Sequence, residues 1–511
     1  MGSGLRPGLF LGHEGGELFG HLWVIHWHAE ALPAWPSGTD LALGAEPWPV
    51  IDPLTTLTVA VLSRVFGAVS AWNALVLGAV ALAYVGGAAL GRRVGGAPAV
   101  AGVLVALSPP LLGSLSSGLS EDAGLGLLAL AYAALLGEGF GMSLLGGALL
   151  GLTAASGLVL GALGALGAVV LGLVDLWRRP ARLGRWLSAA LLALALAAPA
   201  AWRHATRLGG EGHRSGAPME QPEPAWRLNP WRGADLASFV AVGEAQPPEG
   251  ALMRIHPTAL GVVPLVLALI GGRHPLWIAL VAAMALAAGP RLSFLGEPLG
   301  LDNPAVRLLR LLPGAELLNH HARVMLIGQL ALAALAARGA VTVATRWPGK
   351  EGRVQTALTL LIAVELSLLS PTPLPLPTTS AHIDPLWSAL KAVPGAVLPL
   401  PLAGPGVHTQ RPLYEQRAHG RPLRLSPNRP GDLGELRDDP TARWLNTLAL
   451  PRGARPPEAP SWAGLEEAGV GAVVVREAFV EEVTARLGPP DLTAQGGAAW
   501  WVAGRLGSVA Q

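Results

Sequence analysis

From residue 70 to residue 370 the chain is a succession of apolar runs separated by short loops, and this feature leaves few folds open. Residues 70–91, 97–113, 123–137, 141–156, 158–177, 185–201, 257–271, 274–289, 323–342 and 354–370 each read as an apolar helix. Runs of about 20 residues match a hydrocarbon layer about 30 Å thick. Inside such a layer every backbone N–H and C=O needs a protein partner, which excludes open sheets and leaves helices. The expectation is a mainly α, polytopic transmembrane bundle of about ten spans, with Gly-rich stretches such as LLGGALLGL marking close helix packing.

Charge fits that solvent. Only 14% of the 511 residues are charged and the formal net charge is +2, so the chain offers no basic face and no nucleic-acid partner is expected. There is no cysteine, which rules out disulfides and thiolate chemistry. Arginine in short loops sets the orientation, because positive charge is retained on the cytoplasmic side. Alternate loops are basic: Arg92 and Arg93, the stretch WRRPARLGR, Arg273, and Arg346 to Arg353. The intervening SLSSGLSEDAG has neither Lys nor Arg. It therefore faces outward together with residues 1–54, 202–256, 290–322 and the tail from 371. Residues 1–54 hold no signal-like apolar segment, so the expectation is a further helix upstream of Met1 that carries the amino terminus across.

Three domains follow. Residues 1–69 form an extracytoplasmic loop with two membrane-surface helices. In ELFGHLWVIHWHAEAL, Leu18, Leu22, Ile25, Ala29 and Leu32 make one apolar stripe, predicting an amphipathic helix with Trp23, Trp27 and His28 near the headgroups. The apolar stretch 54–66 is too short to cross and reads as interfacial or re-entrant. Residues 70–371 are the transmembrane bundle. Residues 372–511 begin with a proline-rich linker and form a small extracytoplasmic α/β domain. There AVLPLPL, GAVVVRE and AAWWVAG read as strands, and WAGLEEAG and AFVEEVTARLG as helices.

The first segment, GHEGGELFGHLWVIHWHAE, concentrates titratable residues in an otherwise oily chain. With it come a "P…GTDL…P…DPLT" stretch, GAVSAWNALVLGAVALAYVGGAALGRR, an acidic GLSED turn two spans later, NPWRGADLASF, NHHARVMLIGQLALAALAARG and YEQRAHGRPL. Together these resemble the GT-C superfamily, polytopic membrane glycosyltransferases that use polyprenyl-phosphate-linked sugars, and in particular its uncharacterised bacterial members. The resemblance covers roughly residues 12–505. It implies an enzyme in the bacterial inner (cytoplasmic) membrane that transfers a sugar with inversion from a polyprenyl-phosphate sugar donor to an envelope glycan, lipid or protein acceptor on the outer face. It also implies a catalytic carboxylate in the first outer loop, Glu17 or Glu14, and a second acidic site at Glu121 and Asp122.

Such a transfer needs a base for the acceptor hydroxyl and cationic compensation for the departing phosphate. A carboxylate from each of two loops would serve as base and as metal ligand, with Glu17 and Asp122 the candidates for a divalent cation, Mg or Mn. Arg323 and His321, opening a late span, would clamp the phosphate or anchor the helix end. His13 and His21 would lie at the same surface, without an HExxH pattern for zinc.

Other readings stay open at several of these positions. Glu17 and the histidines suit the wet face of any amphipathic helix. Glu121 and Asp122, following Ser120, suit a helix amino-terminal cap. Trp226 and Trp231 would stack on sugar or hold a loop at the interface, with Arg232 and Asp235 beside them. Glu365, near the end of a span, would face a substrate cavity or reach the headgroups. Tyr414, Gln416, His419 and Arg421 would recognise an acceptor or shape a turn. The competing function is a non-catalytic or transport-type membrane protein that binds or moves lipid-linked glycans. A transporter calls for ionisable residues at mid-span and for internal repeats, and neither is visible.

Overall fold

The structure, a computed structural model, describes residues 8–13, 16–34, 52–208, 233–240, 257–295, 297–309, 311, 321–369, 374–400, 410–424 and 462–502. A short strand β1 (Leu9–Leu11) precedes α1 (Leu18–Ala31) and α2 (Pro53–Phe66). Gly67, at φ 81°, breaks the chain between α2 and the long helix α3 (Ala68–Arg93). The next apolar run bends into α4 (Pro98–Ala106) and α5 (Pro109–Ser116), because Pro109 and Pro110 lack the N–H groups that would continue a helix. Then come α6 (Leu125–Leu135), α7 (Phe140–Ser156), α8 (Leu158–Arg178), α9 (Leu183–Leu208), α10 (Val262–Ile270) and α11 (Leu276–Ala287). A hairpin of β2 (Arg291–Phe294) and β3 (Glu297–Asp302) leads through α12 (Pro304–Leu309) to α13 (Met325–Ala344) and α14 (Glu351–Leu369).

Each of the ten expected apolar runs contains helix, and the described part of the protein is mainly helical. Length qualifies the expected count of crossings. Among the described residues five stretches, 68–93, 98–116, 158–178, 180–202 and 321–344, are long and apolar enough to cross a membrane. By contrast, α6, α10 and α11 rise only about 14 to 18 Å at 1.5 Å per residue. The centre of the bundle is α13, whose residues 325–337 are all buried. It is apolar on nearly every side because it has no solvent-facing side, and its one buried amide, Gln329, donates to the Ala259 carbonyl (3.0 Å). The LLGGALLGL stretch packs as expected: a Cβ on Gly147 would lie 2.3 Å from the Ala189 carbonyl oxygen of α9.

The arginine-bearing loops gather at one end of the bundle. There Arg338 donates to the Val94 carbonyl (2.8 Å), Arg185 to the Gly137 carbonyl (2.8 Å), and Arg182 pairs with Asp175 (3.1 Å). The opposite end carries the loops at 12–18, 52–56, 116–122 and 321–324.

The tail forms an α/β unit: β4 (Thr378–Ser380), α15 (Pro385–Ala389), β5 (Ala396–Leu400), α16 (Arg411–His419), α17 (Trp462–Glu467), β6 (Val470–Arg476), α18 (Glu477–Leu487), β7 (Leu492–Ala494) and β8 (Gly497–Trp501). Its sheet runs β5-β6-β8-β7, with β5 parallel to β6 and the other pairs antiparallel. The three segments read as strands become β5, β6 and β8. Val397, Leu398, Val473, Val475 and Trp500 form its core.

Two joints fasten this unit to the bundle. Strand β1 pairs antiparallel with β4, and it is pinned to α3 by Trp72 Nε1 donating to the Leu11 carbonyl (2.7 Å) and Asn73 Oδ1 accepting from Leu11 N (2.8 Å). The second joint is α16 lying on α1. Trp23 Nε1 donates to Gln416 Oε1 (2.7 Å), Gly20 N donates to Gln410 Oε1 (3.1 Å), and the Tyr414 ring sits against Phe10 and Phe19. This corrects the expected membrane-surface role of α1. Trp23 is 1% exposed because α16 covers it on the side that sequence periodicity assigns to headgroups, and His28 is buried too. Gln416 thus belongs to this joint, and His419 stacks on Trp387.

Candidate active site

The two loops that sequence reasoning singles out are in direct contact. His13 N donates to the Ser116 carbonyl (2.5 Å) and Glu17 N to the Ser117 carbonyl (2.7 Å). Glycine makes this approach possible. A Cβ on Gly16 would sit 2.4 Å from the Ser117 oxygen, and one on Gly118, whose φ is 81°, would sit 2.2 Å from Leu18 Cα. The GGE and SGL elements of the sequence are therefore a loop-on-loop joint, which sets His21 of α1 over the turn Ser120–Asp122 that precedes α6.

Around that turn polar side chains from four segments converge. His21 Nδ1 is 2.7 Å from Ser120 Oγ and 3.9 Å from Asp52 Oδ2, and its Nε2 is 3.7 Å from Glu17 Oε2. Ser120 Oγ donates to Asp52 Oδ2 in a short bond, and Thr56 Oγ1 donates to Asp52 Oδ1 (2.8 Å). Asp52 opens α2, with Pro53 at the first helical position, so that Thr56, four residues on, faces the same carboxylate. On the other side of the turn Arg323 binds Asp122 through Nε and Nη2 (3.0 and 2.7 Å), while Nη2 also meets Glu121 Oε1 at 2.6 Å. Glu121, Asp122 and Arg323 are each at most 5% exposed.

Electrostatics separates these groups. Burial works against the His21 cation, yet the hydrogen bond to Glu17 and the charges of Asp52, Glu17 and Glu121 outweigh it and raise the imidazole to about 9. Burial raises the Asp52 carboxyl, opposed by the His21 charge and by the Ser120 and Thr56 hydroxyls. Burial also raises Glu121; Arg323 opposes this, and the neighbouring Asp122 adds to it. Glu121 Oε2 and Ser117 Oγ are buried without a hydrogen-bond partner.

Several expectations change here. Glu121 and Asp122 do not cap α6, which begins after Gly124 with no side-chain cap bond; Asp122 turns to Arg323 instead. Arg323 is engaged by two carboxylates rather than held open for a phosphate, and His321 is buried beside it in the turn His321–Val324. Glu365 accepts from Val262 N (2.5 Å) and Val263 N (3.1 Å), so it caps the first turn of α10 rather than facing a substrate. Asp235 likewise accepts from Ala237 N (2.8 Å) and Leu295 N (3.0 Å), holding a turn against the hairpin. Glu14, Trp226, Trp231 and Arg232 lie outside the described residues. Sequence reasoning missed Asp52 and Ser120 as site residues, although DPLT and GLSED contain both.

The expected Mg or Mn site does not fit this arrangement. Among the described residues no group of three His, Asp or Glu side chains is placed to hold a metal. Asp122, expected to share a cation with Glu17, gives both carboxylate oxygens to Arg323.

Next to the site is an apolar groove of about 550 Å³ between α8 and α9, floored by α7. Leu150, Leu158, Val169, Leu173, Trp186 and Leu194 line it. Its upper end is Leu158, and a Cβ on the preceding Gly157 would lie 2.1 Å from the Glu121 carbonyl oxygen. The groove therefore runs along the bundle and ends beside the charged turn.

No family model matches the chain, and no curated protein matches it. Among solved structures it is similar to the arabinofuranosyltransferase AftD from Mycobacteria, at 18% identity and a TM-score of 0.48, over 93% of this chain and 35% of that one. It thus spans about a third of AftD. It is also similar to ArnT from Cupriavidus metallidurans bound to undecaprenyl phosphate, at 14% identity and a TM-score of 0.47, over 97% of this chain and 95% of ArnT. Both are GT-C superfamily membrane glycosyltransferases, the family that the sequence resembles.

Proposed function

We propose that this chain is an integral-membrane glycosyltransferase that takes a sugar from a polyprenyl-phosphate-linked donor and passes it, with inversion, to a glycan, lipid or protein acceptor on the extracytoplasmic face. The observation that carries this reading is the meeting of Glu17 and His21, Asp52, Glu121 with Asp122, and Arg323 at one end of an apolar groove. Ionisable side chains buried inside a membrane bundle are costly and usually serve a function, and Asp52, Glu121, Asp122 and Arg323 are all buried here. The groove suits an isoprenoid tail, and a tail lying in it would bring its phosphate to the Glu121 turn. The arginine-rich opposite end suits the cytoplasmic side, which puts the pocket outside.

Asp52 is the base of this reading. Its two oxygens are oriented by Thr56 and Ser120, and the adjacent His21 cation favours its ionised form. As the acceptor oxygen bonds to the anomeric carbon, its proton goes to Asp52, and the electrons of the breaking C–O bond leave on the phosphate. Glu17, implied by family resemblance as the catalytic carboxylate, meets this group through His21, which it helps to keep protonated.

Transfer of radiolabelled sugar from polyprenyl-phosphate donors by protein in liposomes tests the reading. Asp52→Asn is expected to lower the rate by about 10²- to 10⁴-fold while the protein stays folded. A full rate in that variant removes Asp52 as base. Absence of transfer by the native protein across a panel of donors and acceptors argues against the enzyme reading.

A further inference from the structure

The pocket has an imbalance that the base does not resolve. Two carboxylates, Glu121 and Asp122, share one guanidinium, and Asp122 takes it through two nitrogens. Glu121 is left with Oε1 on Arg323 and with Oε2 buried and unpartnered, and Ser117 Oγ on the same loop is unpartnered too. A buried carboxylate oxygen without a donor is costly, on the order of several kcal/mol if the group stays charged. An ionised Glu121 would also repel any phosphate arriving from the groove. Both difficulties vanish if Oε2 carries a proton, because the site then holds a donor lacking only an acceptor.

We infer that Glu121 is a neutral carboxylic acid whose Oε2–H is the hydrogen-bond donor for a phosphate oxygen of the lipid-linked ligand, making it a substrate-binding group distinct from the base Asp52. The inference rests on the proposed function and deepens it. The charged groups around Glu121 pull in both directions. Arg323 faces it from the turn before α13, Asp122 from its own turn, His21 from α1 and Asp52 from the start of α2. Burial is the largest influence and favours the protonated form; Arg323 and His21 oppose it, Asp122 and Asp52 add to it, and the balance leaves the carboxyl raised. Asp52 has the opposite surroundings, with two hydroxyl donors and an imidazolium. Burial raises both carboxyl groups, but both Asp52 oxygens have hydroxyl donors while Glu121 Oε2 has none, a difference that suits the two to separate base and donor roles. Arg323 supports the donor passively by fixing Oε1.

The test is binding of the methyl diester of a polyprenyl phosphate, whose single charge stays constant over the range used, to protein in nanodiscs from about pH 5 to about pH 8, below the titration of His21. The native protein should lose about tenfold or more in affinity as Glu121 ionises. Glu121→Gln, which keeps a donor on an isosteric neutral side chain, should bind with affinity independent of pH across that range. Dimethyl phosphate, which has no tail, should compete only weakly if the ligand is a lipid and as well as the diester if it is a free phosphate ester. Infrared spectra supply a readout free of ligand: the carbonyl stretch of a protonated carboxylic acid should be present in native protein near neutral pH and absent in Glu121→Gln. Identical pH profiles in the two proteins, or no such band, would overturn the role of Glu121 and leave the glycosyltransferase reading standing. No binding by either protein at any pH would sink both.

Discussion

Among the described residues two guanidinium–carboxylate clusters have inverse compositions. At the candidate active site one arginine, Arg323, lies between two acids. At the joint between α16 and the C-terminal sheet one acid, Glu415, lies between Arg411 (2.9 Å) and Arg476 (3.3 Å). In the second cluster both Glu415 oxygens have donors, and Arg411 also donates to the carbonyls of Ser380 and His382. That cluster is closed and needs nothing more. The first is short of one positive charge and leaves Glu121 Oε2 unmatched. A fold can carry such a deficit only where something outside the chain completes it or a proton does. The contrast marks one cluster as a structural clasp and the other as a place for a ligand.

Three measurements break or sharpen this contrast. The largest effect is expected from Arg323→Met, which leaves the buried Asp122 carboxylate without its cation and Glu121 Oε1 without its donor. It should cost about 3 to 5 kcal/mol in detergent unfolding experiments, with the loss shrinking at low pH as the acids take up protons. A loss below about 1 kcal/mol would mean that the site end is far wetter than its burial indicates.

Next in size is a pH effect through His21. Its folded-state value, raised to about 9 from 6.5, means that its pairing is fully present below about pH 6.5 and is lost as pH rises through 9. The contribution is at most about 3 kcal/mol. Melting temperatures from neutral to alkaline pH should fall more steeply in native protein than in His21→Gln, and parallel curves would remove the imidazolium from the site.

The smallest effect belongs to the clasp. Glu415→Gln should cost only about 1 to 2 kcal/mol, since Gln keeps an acceptor and both arginines have water or carbonyls within reach. Sugar transfer should scale with the folded fraction alone. A selective loss of transfer in that folded variant would break the distinction between the two clusters.

The bundle was legible because burial in a hydrocarbon layer demands unbroken apolar runs, and the C-terminal strands were legible because Ala-Val-rich runs such as GAVVVRE suit a buried sheet. What escaped has one physical cause, contact between distant segments. Trp23 and Gln416 are 393 residues apart, so the periodicity of α1 could not show that a second layer covers its polar side. The pairing of Arg323 with Asp122 spans 201 residues, and each alone reads as a helix-end residue. Asp52 had a local signal, an Asp-Pro helix start with Thr56 one turn on, but that pattern is common at ordinary helix starts. Glu365 looked functional because an acid within a span is expensive; two backbone N–H groups of α10 supply its compensation.

The pairing of β1 with β4 has a consequence for biogenesis. Leu9–Leu11 emerge from the ribosome early, yet their partners Thr378–Ser380 follow only after the last apolar helix has been made. Until then α1 also lacks α16, so its tryptophans and the loop bearing Glu17 have no fixed seat. The candidate site is therefore completed only after residues 378–419 have been made, and an assembly intermediate stalled before them would lodge in the bilayer with its helices in place and the site loops unseated.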